Sequence, residues 1–272
     1  MVLRRIGVFL VAVVVLGGVA GCETVQTTQS GAVGINRKQR MLVSEEQVEQ
    51  GAVEAYNQEK SKAQSEGKLN ADSALTSRVR NVSQRLIPGT AVFRPDAVNW
   101  KWEINTLTTK ELNAYCMPGG KIMVYSGLVE QLKLTDAEMA AVIGHEMAHA
   151  LREHSRERIS RMTAQQLIIG GVAAAAGVGD AVSGLANQVA SVTFQLPHSR
   201  DQESEADIIG LELMARAGYD PNAAVNVWNK MMAAEQGSQP EFLSTHPSPK
   251  TRIQDLQAQI PKVMPLYQQA KK

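Results

Sequence analysis

Cysteine is almost missing from this chain of 272 residues, which holds two, Cys22 and Cys116. If Cys22 is spent on the N-terminal modification argued below, Cys116 has no partner within the chain. No disulfide framework then exists, and a hydrophobic core must hold the fold. A surplus of one charge is missing too: 28 Lys and Arg stand against 27 Asp and Glu, for a net charge of +1. Losing residues 1–21 removes two arginines and no acid and leaves −1. That balance gives no reason to expect nucleic acid as a partner. Long apolar runs are absent as well. Ile6 to Leu16 and Leu167 to Val178 are the candidates, and both fall short of the roughly 20 residues a spanning helix needs. What is present, 44% hydrophobic and 20% charged residues, suffices for a globular body of one or two domains.

The N-terminus reads as an export signal. Arg4-Arg5, the apolar stretch from Ile6 to Leu16, and then Val19-Ala20-Gly21-Cys22 have the order of a secretory signal ending in a lipobox. Residues 1–21 are therefore expected to be removed and Cys22 to become a lipidated N-terminus, which puts the body outside the cytoplasm and on a membrane. Glu23 follows the cysteine where inner-membrane retention commonly uses aspartate, so the expected address is the periplasmic face of the outer membrane. Residues 22–40, rich in Thr, Gln, Ser and Gly, read as a tether. Residues 41–260 read as the folded domain and 261–272 as a tail.

The stretch that organises the domain is Gly144-His145-Glu146-Met147-Ala148-His149. Thr135-Asp136-Ala137-Glu138 forms a capping box before it, and Ala140, Ile143, Met147, Ala150 and Leu151 recur at helical spacing. An amphipathic helix from Asp136 to about Arg156 is expected. On it His145 and His149 project from one face one turn apart, the spacing at which two imidazoles reach a single Zn²⁺. Glu146 then stands beside the metal as the base that takes a proton from the attacking water.

A catalytic zinc site needs a third protein ligand. His154 lies about 180° around a straight helix from His145 and reads as a surface residue or one in a second layer behind the ligands. Glu153 shares the zinc face but stands about 12 Å along the axis. The better candidate lies in Ser199-Arg200-Asp201-Gln202-Glu203-Ser204-Glu205-Ala206-Asp207, the start of another helix. Glu203 and Asp207 share an otherwise apolar face, where two carboxylates are costly unless something compensates them. Glu203 as ligand, with Asp207 accepting from a ligand imidazole, resolves that cost; Glu205 points away.

Elsewhere, Ser44 caps a helix to about Ser65, and Ser73 to Leu86 reads as a second. Val98 to Asn105 alternates and reads as a strand. Asn113-Ala114 to Tyr125 reads as a hairpin whose turn is Pro118-Gly119-Gly120. It is either an ordinary hairpin or an edge strand that pairs with an extended substrate. The run 167–178 reads as a packed or mobile helix more readily than as a membrane dip.

Four segments together carry a resemblance: His145-Glu146-x-x-His149; Glu203-x-x-x-Asp207; Asn113-Ala114-x-x-x-Pro118-Gly119-Gly120; and Thr245-His246-Pro247 with Arg252-Ile253. They resemble the gluzincin metallopeptidase family that contains HtpX, BepA, LoiP and the CAAX prenyl endopeptidases, over residues 40–258. The resemblance implies an α+β, mostly α, zincin-like domain with a small edge sheet above the motif helix. It also implies one Zn²⁺ per chain and endopeptidase action on misfolded or stalled envelope proteins. His198 departs from the aromatic residue often found before Ser-Arg, and Cys116 lies within the substrate-strand motif. His246 could fill the metal's fourth position and keep the enzyme latent, or, like Arg252, donate to the oxyanion. The alternative from another class is a chaperone-like assembly factor that holds strands and seldom cuts.

Overall fold

A computed structural model describes residues 23–170, 181–234, 241–247 and 251–271. The Cys22 modification, the loop 236–240 and most of the 167–178 run lie outside them. Helices dominate: α1 (Glu45–Ser65), α2 (Ser73–Leu86), α3 (Ser126–Gln131), α4 (Asp136–Leu151), α5 (His154–Gly170), α6 (Ala181–Phe194), α7 (Arg200–Arg216), α8 (Asn222–Ala234), α9 (Glu241–Thr245) and α10 (Thr251–Ala270). None of the described helices is long and apolar enough to cross a membrane.

The starts of these helices follow from their caps. Ser44, Thr135 and Ser199 each form a capping box with Gln47, Glu138 and Gln202, and Asp72 accepts from Leu75 N. Helix α4 is the central element, with every residue from Glu138 to Leu151 buried. It packs against α2, α7, α8 and a three-stranded sheet. The sheet has the order β3 (Glu103–Leu107), β5 (Lys121–Tyr125), β4 (Ala114–Met117), with β3 parallel and β4 antiparallel to β5. Its strands alternate between two cores. Ala114, Cys116, Ile122 and Val124 join the main core around α4. Tyr115, Met117, Met123 and Tyr125 join a second core with Val48 and Tyr56 of α1 and Val189 and Val192 of α6. Each large apolar side chain buried in this way contributes about 1.5–3 kcal/mol. Strand β4 is an edge, paired among the described strands only with β5. Gly120 turns the chain between β4 and β5 at φ +79°, and a Cβ there would meet the Trp102 ring at 2.6 Å.

Four expectations are corrected. The strand expected from Val98 starts at Glu103, because Ala97–Asn99 form a 3₁₀ turn whose Ala97 carbonyl accepts from Trp102 Nε1 at 2.8 Å. The motif helix ends at Leu151 instead of Arg156. Glu153 takes φ +51°, held there by ion pairs to Arg94 at 2.8 Å and Arg156 at 2.7 Å. The tail from 261 is the second half of α10 and buries Val263. The tether is no tether over the described part, residues 23–40. Glu23–Val25 (β1) pairs antiparallel with Gln39–Met41 (β2), and Thr28 and Val33 are buried.

That N-terminal strap is folded around a buried charge. Arg152 is fully buried; it donates to Thr27 Oγ1 at 3.1 Å, Thr28 Oγ1 at 3.2 Å and the Arg37 carbonyl at 3.0 Å. Gln39 Nε2 donates back to the Arg152 carbonyl at 2.7 Å. Arg37 clamps Glu157 at 2.6 and 3.0 Å. Burial alone would raise the Glu157 carboxyl, but hydrogen bonds from Arg37 and Gln202 outweigh it and lower its pKa to about 2. A depressed carboxylate stabilises the fold above its unfolded pKa and loses that contribution as pH falls through the folded one. Melting temperature should therefore fall between about pH 4.5 and pH 2, and a Glu157→Gln variant should melt lower at pH 7 and show a shallower acid slope. An acid slope unchanged by the substitution would remove Glu157 from the strap's stability.

Candidate metal centre

Helix α4 delivers His145, Glu146 and His149, and α7 delivers Glu203 and Asp207, because the two backbones nearly touch. A Cβ on Gly210 would lie 2.7 Å from His145 N, and one on Gly144 would lie 3.0 Å from the Gly210 carbonyl. Only glycine at both points lets α7 approach closely enough for its acids to reach α4's histidines. The ring Nε2 atoms of His145 and His149 lie 3.1 Å apart. Glu203 Oε2 is 3.6 Å from the first and Glu203 Oε1 is 3.4 Å from the second. Both histidines and Glu203 are buried.

His246, just past α9, completes the group. Its Nδ1 lies 3.0 Å from Glu203 Oε1 and 3.3 Å from His145 Nε2, and its Nε2 lies 3.6 Å from Glu146 Oε1. One donor atom from each of His145, His149, Glu203 and His246 falls within 4.8 Å of the others. Glu146 Oε1 is buried and has no hydrogen-bond donor, a costly state in a dry site unless a cation is near, while Glu203 Oε2 is met by the Arg252 guanidinium. Three imidazoles and a carboxylate are the donor set that suits zinc. The residues present fit the ion.

The surrounding charges prepare these donors. Burial drives the His149 imidazole well below its usual range and so keeps it neutral, the form that ligates. Burial would raise Glu203, but His246 and Arg252 outweigh it and hold the carboxyl far down. Burial pushes the Glu146 carboxyl up, the direction that makes it a better base. Asp207 Oδ1 accepts from His145 Nδ1 at 3.0 Å, which leaves His145 Nε2 bare on the metal side. Arg252 spends all three nitrogens: Nε and Nη2 on Asp207 at 2.6 Å each, and Nη1 on the Pro247 carbonyl at 3.1 Å and in an ion pair with Glu203 Oε2 at 2.6 Å. Its guanidinium also lies 3.8 Å over the Trp228 ring. That is the position of a residue that holds two carboxylates, not of one aimed at an oxyanion.

The sequence profile of Peptidase family M48 matches residues 73–260. The chain belongs to that family. Among its relatives are the mitochondrial metalloendopeptidase OMA1 of Schizosaccharomyces pombe, 40% identical over 163 residues, or 59% of this chain and 47% of that protein. The metalloprotease LoiP of Escherichia coli is 28% identical over 255 residues, covering 93% of this chain and 96% of LoiP. The metalloprotease YcaL of the same organism is 29% identical over 160 residues, covering 56% of this chain and 59% of YcaL. The chain spans 30% of the Arabidopsis thaliana OMA1 and 59% of the Saccharomyces cerevisiae one, about half or less of most OMA1 proteins it matches.

Family membership agrees with the mostly helical α+β domain described above, and M48 metalloproteases use zinc. Asn113 and Ala114 open β4, where Asn113 Oδ1 accepts from Ala114 N at 2.9 Å. Pro118, Gly119 and Gly120 lie farther off, in the turn; Pro118 and Gly119 line a pocket with Ala150 and Glu153 at the C-terminal end of α4. Of the two positions expected for His154, the surface or a second layer behind the ligands, the structure takes the second: the break at Glu153 rotates it inward, it is fully buried, and its Nδ1 lies 2.7 Å from His149 Nδ1. His198 went unassigned in the sequence. It stacks on His246 at 4.9 Å and tilts over His149 at 4.0 Å. Its position five residues before Glu203 was the signal available. All five histidines of the chain thus meet in one region.

Glu203→Ala should lose the bound zinc, while Glu205→Gln with metal in excess should keep one ion per chain. Metal analysis of the two purified variants checks this. Equal loss from both would show that the wrong acid of α7 has been chosen.

Proposed function

We propose that the protein is a zinc-dependent endopeptidase of the bacterial cell envelope that hydrolyses unfolded or misassembled envelope proteins. The observation that carries the reading is the buried Glu146 carboxylate, with one oxygen free of donors, beside a four-donor cluster. The relatives' names, metalloendopeptidase and metalloprotease, support the reaction class.

Zinc, when bound, would act as a Lewis acid that lowers the pKa of a water and polarises the scissile carbonyl. His145, His149 and Glu203 would hold it. Glu146 takes the proton of the attacking water and later delivers it to the leaving amine nitrogen. The edge of β4 aligns an extended substrate by backbone hydrogen bonds, an arrangement that favours unfolded chains over folded ones. His246 occupies the position a substrate carbonyl or water needs, so the resting enzyme is latent. The segment carrying it is pinned at two points: Phe242 N donates to the Leu112 carbonyl at 3.0 Å, and His198 N donates to the Thr245 carbonyl at 2.9 Å.

Glu146→Gln should keep zinc and fold but cut an unfolded substrate roughly 10²–10⁴-fold more slowly, and His246→Ala should raise basal cleavage. Chelation should abolish both activities. A roughly hundredfold fall in His246→Ala with zinc fully retained would replace the plug with a transition-state role. A Glu146→Gln chain that still supports envelope assembly in cells would favour the strand-holding chaperone.

For location we propose lipid anchoring through Cys22 at the periplasmic face of the outer membrane, supported by the Arg4-Arg5, Ile6–Leu16 and Val19–Cys22 order. Cys22→Ser should accumulate as unprocessed precursor in a membrane fractionation. Normal processing of that variant would rule out the lipobox.

A further inference from the structure

The outer nitrogens of the two α4 histidines meet different partners. His145 Nδ1 faces a carboxylate directly, Asp207 Oδ1 at 3.0 Å. His149 Nδ1 faces another histidine, His154 Nδ1 at 2.7 Å. That second imidazole continues through its Nε2 to Glu205 Oε2 at 3.0 Å. Glu205 is bracketed by two guanidinium groups. Arg37 donates to its oxygens at 2.8 and 2.9 Å, and Arg152 at 2.9 and 3.2 Å.

The direction of every proton in this chain can be read from its far end. A carboxylate shared by two arginines is ionised and only accepts, so His154 must donate from Nε2. A neutral His154 then presents a bare lone pair at Nδ1. His149 Nδ1, 2.7 Å away, must be the donor, which leaves His149 Nε2 bare and facing Glu203 and His145. The site is too dry to supply another partner, since His154 is fully buried and His149 is 5% exposed.

We propose that His154 is the positioning residue for His149, fixing its Nδ1–H tautomer through Glu205, and that the N-terminal strap takes part through Arg37. The inference rests on the metal reading of the cluster. It adds that the ligand set is oriented from two sides, by Asp207 with Arg252 for His145 and by His154 with Glu205, Arg37 and Arg152 for His149. With both tautomers set in this way, two bare Nε2 atoms face each other at 3.1 Å with no proton between them. A cation relieves that opposition.

Two measurements on the full-length protein test the assignment. Zinc affinity is read by competition with a chromophoric chelator, and ring protonation by ¹⁵N NMR of the histidines in metal-free protein. His154→Phe fills the space without a hydrogen bond and should weaken zinc about 10–100-fold, the usual effect of losing a group that orients a ligand. His154→Gln can accept from His149 and donate to Glu205 and should recover most of the loss. Arg37→Met, altered only in the strap, should weaken zinc by a smaller factor. In the unsubstituted protein His149 should carry its proton on Nδ1. Zinc binding by His154→Phe within twofold of the original, or a His149 proton on Nε2, would overturn the proposal. Should His154→Phe fail to fold, the glutamine variant and the tautomer of the unsubstituted protein still decide. A chain that binds no zinc at all would overturn the metal reading, while the tautomer measured without metal would still judge His154.

Discussion

Three carboxylates at alternate positions of α7 are taken out of water, and the arrangement of the whole protein follows from how each is compensated. An unpaired buried carboxylate costs several kcal/mol even after relaxation, so Glu203, Glu205 and Asp207 could not all be buried here unless cations met them. Asp207 receives Arg252 and His145. Glu205 receives Arg37, Arg152 and His154. Glu203 receives His246 on one oxygen and Arg252 on the other. These partners come from the strap, α4 and the turn after it, α5, the residue that follows α9, and the first turn of α10. The charged centre thus ties together parts of the chain that are distant in sequence.

The approach of α4 to α7 makes that centre possible. Glycine at 144 and 210 removes two side chains from a contact that has no room for them, and the apolar residues around them supply the burial that holds the helices together. The low dielectric this creates strengthens each pairing and makes each missing partner more costly. Stability and chemistry therefore share the same residues.

Much of this was legible in the sequence, because it rests on local chemistry. Capping boxes at Ser44 and Thr135 and the 3.6-residue period around His145 report on neighbours three or four positions away, and the structure agrees with them. The pair Glu203 and Asp207 stood out because two acids on an apolar face need a cause. What escaped depends on distant partners. Glu153 adopts a left-handed backbone because Arg94 and Arg156 hold its carboxylate, and that single residue redirects His154 from the outside to the inside. The strap looked like a linker because Thr27, Thr28, Arg37 and Gln39 are polar. Polar residues that solvate a buried arginine have the same composition as residues that solvate nothing.

The segment Glu241–His246 belongs to the same chain as the donor cluster that His246 enters, and this alters how anything else reaches that cluster. A tethered occupant is present at an effective concentration set by its linker, on the order of millimolar, whatever the dilution of the protein. A short peptide offering one or two backbone hydrogen bonds competes poorly against it. On the proposed function, a long unfolded chain would seat several residues along β4 and add their contributions before the Phe242–Leu112 bond gives way. Under that proposal, length and extension of the incoming chain, more than any single side chain, would set the entry requirement.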